Sequence, residues 1–145
     1  MRLASRTAER LLVGILYLMG GMASCAVFAI VMPTSWMAAV NDWLGLGPFH
    51  RSPLVEYLTR SLSALYALLG AFTLYLARNA RRHLALIVVV GRLTIALGLA
   101  LTAIDFAVRM PAHWSWTEGP PTVLIGWAFI FLARRAGESR PTPGA

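Results

Sequence analysis

The sequence predicts an all-α integral membrane protein, a four-helix bundle with a short interfacial amphipathic helix between its first and second spans. Three observations predict it. Hydrophobic residues make up 58% of the 145 residues, charged ones only 13%, and mean hydropathy is +0.66; soluble domains are about half apolar and about a quarter charged. The apolar residues gather into stretches of membrane-crossing length. The basic residues, thirteen arginines and no lysine, cluster at the ends of those stretches. That placement makes the net charge of +7 a topology signal rather than a nucleic-acid footprint, so no nucleic-acid partner is expected. The same composition excludes disorder and a water-soluble globule of this size.

Residues 1–136 read as one transmembrane domain. The first span covers about 11–32 and stops at Pro33. Its Gly20, Gly21, Ser24 and Cys25 form two small-xxx-small pairs, the pattern by which membrane helices approach closely. Met22-Ala23-Ser24-Cys25 also has the outline of a lipobox, but the apolar run continues through Met32 without a polar spacer. Cys25 is therefore expected as a small apolar residue in a helix interface. As the only cysteine it excludes an internal disulfide or a cysteine metal cage.

The connection to the second span begins Pro33-Thr34-Ser35, a helix start. Trp36, Met37, Val40, Trp43 and Leu44 then fall on one face of a helix over 34–44, closed by Gly45 and Gly47. The second and third spans cover about 53–77 and 84–108, joined by a short arginine-rich loop at 78–83. The fourth, about 120–135, is short, and Pro120 and Pro121 are expected in its first turn, where a missing N–H costs little. Residues 137–145 are small and polar and read as a disordered tail.

Arginine counting sets the orientation. Arg2, Arg6, Arg10, Arg78, Arg81, Arg82, Arg134, Arg135 and Arg140 share one side, whereas the other carries Arg51, Arg60 and Arg109 beside most of the acids. The positive-inside rule then puts both termini in the cytoplasm. Arg92, some way into the third span, is within snorkelling reach of the cytoplasmic headgroups.

Ionisable residues within spans are costly and mark function by default. In the second span Glu56 and Arg60 lie one turn apart, on a face continued by Ala64, Ala67 and Ala71 with Ser63 at its edge. In the third span Gly91, Thr94, Gly98, Thr102, Asp105 and Arg109 fall within about 40° of one line. Set antiparallel, the two helices place Arg60 opposite Asp105 and Glu56 opposite Arg109, a charge box at the outer end. This box has three readings. It staples two helices, it lines an outward pocket walled by Trp36, Trp43, His113, Trp114 and Trp116, or it opens a proton or ion path, which would need polar groups continuing to the cytoplasmic side where only Thr94 and Thr102 stand. The pocket reading suits a quinone or a lipid. No catalytic constellation, metal site or cofactor motif stands in the sequence, so the chain is not read as an enzyme.

The stretch 36–75, with MAAVNDWLGLGPF, SPLVEY and a second span rich in small residues, resembles the DoxX-like superfamily of small four-helix bacterial membrane proteins. The resemblance implies a four-helix inner-membrane bundle, some of whose relatives accompany quinone-linked oxidoreductases. The expected role is a non-catalytic accessory or scaffold subunit, or a binding bundle, which meets the bilayer and a membrane-protein partner or a second copy of itself. Its rivals are a quinone- or lipid-binding redox accessory and a small oligomeric transporter.

Overall fold

A computed structural model describes residues 2–47 and 49–138. The expected tail lies outside these residues from 139 onward. Among the described residues the chain is all helix: α1 (Arg2–Ser24), α2 (Val27–Val31), α3 (Thr34–Trp43), α4 (Pro53–Arg78), a 3₁₀ turn (Ala80–His83), α5 (Leu84–Val108) and α6 (Ala112–Gly137). Three segments, Ser5–Val31, Pro53–Arg78 and Ala80–Val108, are long and apolar enough to cross a membrane. α6 has the length, 26 residues, but is not among them. Its first half carries Glu118, Pro120 and Pro121.

The helix ends follow from local chemistry. The expected first span is a helix tightened once. Ala26, Phe28 and Ala29 donate to carbonyls three residues back, as in a 3₁₀ turn, and this separates α1 from α2. Pro33, which has no N–H, then ends α2. α3 closes in a Schellman motif with Gly45 left-handed at φ +66°: Leu46 N–H bonds to Asn41 O at 3.3 Å and Gly45 N–H to Asp42 O at 3.1 Å. α4 starts with Ser52, whose Oγ accepts from Val55 N–H at 3.2 Å, and Pro53 at the first helical position. α5 ends in the same motif as α3, with Met110 N–H on Asp105 O at 2.9 Å. Its left-handed residue is Arg109 (φ 56°), not glycine.

The fourth helix departs from the expectation. It starts at Ala112, eight residues before Pro120, and both prolines sit inside it. Gly119 eases the first of them, because the part of proline's clash that falls on its predecessor's Cβ is absent when that predecessor is glycine. His113, Trp114 and Trp116 are therefore helical residues rather than loop residues.

The chain divides into two compact units, one of residues 1–15 with those from 76 onward, the other of residues 16–75. In the first, α5 and α6 run antiparallel on glycines. A Cβ on Gly126 would lie 2.6 Å from Gly91 O, and one on Gly98 would lie 2.9 Å from Gly119 O. Positions 91, 98 and 105 on α5 and 126, 119 and 112 on α6 recur every seven residues, so the seam runs straight down one face of each helix. Leu12, Leu76, Ile87 and Phe129 form the buried core of this unit.

In the second unit α1 meets α4 as closely. A Cβ on Gly70 would lie 2.4 Å from Ser24 N, and one on Gly20 would lie 3.0 Å from Leu74 N. The expected packing through Gly20 and Ser24 is present. The companion pair, Gly21 and Cys25, does not share it: nothing approaches Gly21 within 4 Å, and Cys25 is exposed. One residue further along a helix is rotated by about 100°, away from the neighbour.

Each small-residue stripe thus has a partner other than the expected one. The α4 face bearing Glu56, Arg60 and Ser63 continues through Gly70 toward α1, and the α5 stripe meets α6. The charge pattern singled out the two stripes, but the matching small residues lie on α1 and α6.

Candidate functional site

The four charged residues of the expected box divide between the units, two in each. In the second unit Arg60 is a helix cap supplied from a neighbouring helix. Its guanidinium donates through Nη1 to Ile30 O and through Nη2 to Met32 O, the latter at 3.2 Å. The last carbonyls of a helix have no intrahelical partner, and Pro33 cannot donate to the one four residues before it. A cation at a helix C-terminus also meets the negative end of its dipole. One turn away Glu56 accepts from Thr34 Oγ1 at 2.9 Å, which fixes the first residue of α3 to α4. Glu56 and Arg60 together clasp the corner where α2 turns into α3. Of the apolar face expected on α3, only Met37 is buried; Trp36 and Trp43 are exposed.

In the first unit the remaining members gather where α5 ends and α6 begins. Asp105 takes the seam position two turns beyond Gly98. Its side chain is only 5% exposed, and its Oδ2 has no hydrogen-bond partner among the described residues. Ser115, the other buried polar residue among the described residues, belongs to α6 at this end. Thr102 turns its hydroxyl back to Gly98 O at 2.8 Å, so it offers Asp105 no donor. Trp114 donates its indole N–H to Glu118 Oε2 at 2.6 Å, one turn on in α6. Trp116 and His113 are exposed in the first turns of α6, and Arg109 projects from the left-handed position just past α5.

The members of the box therefore have different standing. Glu56 and Arg60 take their hydrogen bonds inside their own unit and account for a chain reversal. A buried carboxylate oxygen without a donor has no such account, since buried polar groups are almost always paired. Thr94 bonds to Val90 O of its own helix and Arg92 is exposed; neither adds to the Asp105 cluster.

Sequence reasoning missed two features. Glu9 and Arg81 form a two-pronged ion pair at 2.5 Å across 72 residues of sequence, for which spacing gives no cue. The Gly119 and Gly126 seam on α6 carries a sequence signal, two glycines seven apart, hidden by the prolines between them. Comparison with family models, with curated proteins and with solved structures finds no match to this chain.

Proposed function

We propose that the protein is a four-span bacterial inner-membrane protein with both termini cytoplasmic, acting as a non-catalytic binding or accessory subunit. It engages its partner through the outer end of α5 and α6. The observation that carries this reading is Asp105, a nearly fully buried carboxylate with one oxygen left unpartnered. Such a group lowers stability in the isolated chain. A donor from outside, on a ligand or on a partner helix, removes that cost when it binds. Buried Ser115 and the indole-bearing Trp114 and Trp116 belong to the first turns of α6, at the same end of the helix pair as Asp105, and supply polar and aromatic groups for such a site.

The membrane setting is supported by the three apolar helices and by large side chains such as Phe28, Leu68, Phe106 and Leu124 that the fold leaves exposed. Lipid would cover them. The resemblance of 36–75 to the DoxX-like superfamily agrees with four spans, and the arginine distribution gives the orientation.

The test is gentle purification from native membranes, with mass spectrometry of whatever is retained, for the natural chain and Asp105→Ala. The expected result is a stoichiometric companion that is lost in the variant, while the variant folds at least as stably. A protein companion makes the chain a subunit; a quinone or lipid makes it a ligand carrier. Retention that is the same with and without the Asp105 carboxylate overturns the assignment of the site.

A further inference from the structure

The opposite end of the first unit carries a second polar feature, independent of Asp105. A cleft of about 480 Å³ is lined by Arg6, Glu9, Arg10, Val13 and Arg81, within the range of roughly 300–1,000 Å³ usual for small-molecule sites. We infer that this cleft is a binding site for a phosphate group carried on an anionic ligand, and that the ligand is a lipid headgroup or a free phosphate.

The charges carry the inference. Glu9 commits both carboxylate oxygens to Arg81, to Nε and Nη2. Its charge is thereby neutralised locally, and Arg81 is held in one orientation although its side chain is 70% exposed. Two of the five guanidinium donors are used; the other three remain for a ligand. Arg6 and Arg10, one turn apart on α1, have no carboxylate partner among the described residues. Three guanidiniums against one carboxylate leave the cleft doubly positive. Planar, forked donors match phosphate oxygens two at a time.

Placement favours the same chemistry. Arg6 and Arg10 lie at the start of the apolar segment Ser5–Val31, and Arg81 lies at the start of Ala80–Val108, so the cleft sits where two membrane-crossing segments begin. Val13, half-buried, lies one turn deeper on α1 and gives the cleft an apolar edge on the side toward the hydrocarbon. Basic clefts at the cytoplasmic ends of membrane helices are where anionic headgroups settle.

The full chain, purified in a non-ionic detergent, is titrated with dioctanoyl phosphatidylglycerol, dioctanoyl phosphatidylcholine and inorganic phosphate, with ligand-induced thermal stabilisation as the readout. Phosphatidylglycerol is expected to bind and phosphatidylcholine not. If inorganic phosphate binds as tightly and competes, the ligand is a free anion; if it does not, the source is the headgroup. The Arg6→Gln/Arg10→Gln double variant is expected to weaken binding about 30-fold, at about fivefold per arginine lost. Glu9→Gln is expected to move the other way and tighten binding severalfold, because it removes the one negative charge while the amide oxygen can still accept one of the two Arg81 hydrogen bonds and keep the guanidinium in place. That sign decides the matter if the double variant does not fold. Equal binding of the two lipids, binding indifferent to the arginines, or weakening by Glu9→Gln overturns the inference.

Discussion

The corner of α2, α3 and α4 and the junction of α5 with α6 look alike in sequence: each has an acid and an arginine four residues apart near the end of an apolar helix. In the structure they are opposites. At the corner Arg60 caps two carbonyls and Glu56 holds Thr34. At the junction Asp105 is buried with an unpartnered oxygen, and Arg109 occupies a left-handed conformation that side chains disfavour. The difference teaches that an intramembrane charge is not evidence of function by itself. Its default functional reading holds only after the local backbone has been asked what it needs. A helix ended by proline needs donors, and Arg60 supplies them; the buried Asp105 Oδ2 meets no such need, having no hydrogen-bond partner among the described residues.

The comparison presupposes that both regions are held by close backbone approach, and the largest expected effects test that footing. Gly126→Ala places a methyl 2.6 Å from Gly91 O and 2.8 Å from Ile95 N, and Gly70→Ala places one 2.4 Å from Ser24 N. Backbone cannot rotate away as a side chain can. Each substitution is expected to cost about 3 kcal/mol or more, measured by denaturant unfolding in detergent. Gly119→Ala differs, because its nearest neighbour is the Thr102 hydroxyl at 1.9 Å. Adding Thr102→Ala should recover part of the loss, and no recovery would show the seam to be set by backbone alone.

The next substitutions break the comparison directly, because they have opposite signs. Arg60→Met leaves two carbonyls without donors and is expected to cost about 2–3 kcal/mol and to open the corner to proteolysis. Arg60→Lys keeps the charge but not the fork and should recover only part of this. Were lysine to restore full stability, Arg60 would be acting by charge and not as a cap. Asp105→Ala relieves an unpaired buried group and is expected to leave stability unchanged or to raise it by about 1 kcal/mol. Arg109→Gly removes left-handed strain and is expected to add about 1 kcal/mol. A gain in stability with a loss of the retained companion is the signature of a residue kept for binding.

Much of this was legible in the sequence. Helix α4 starts at Pro53 and α5 runs from 84 to 108, where arginine, serine and proline in the sequence mark the edges of the apolar stretches chemically. The α3 helix ends at Trp43, and Gly45 and Gly47 both have positive φ as their placement required. The start of α6 was not legible. Two adjacent prolines read as a first turn, whereas the helix runs through them from Ala112. The charged residues were legible as a set but not in their partners. Hydrogen bonds from Arg60 go to main-chain carbonyls, which every residue possesses and no side-chain pattern reveals. The burial of Asp105 was legible only as membership of a stripe, since which helix covers a stripe is decided by residues elsewhere.

The smallest effect expected is at Thr34. Thr34→Val keeps the shape and removes the hydroxyl, so Glu56 loses the donor 2.9 Å away. Glu56 is half-buried in the first turn of α4, where water can replace the lost donor and the helix dipole still favours its charge. The cost is expected to be about 1 kcal/mol or less. Its use lies in combination. Thr34 and Arg60 hold two sides of one corner, so once Arg60→Met has freed the end of α2, the Thr34 bond has less left to hold in place. Thr34→Val should then cost less in the Arg60→Met background than in the natural chain, in a double-mutant cycle read by unfolding. Strict additivity would separate the two contacts, and the corner would then be two independent bonds rather than one clasp.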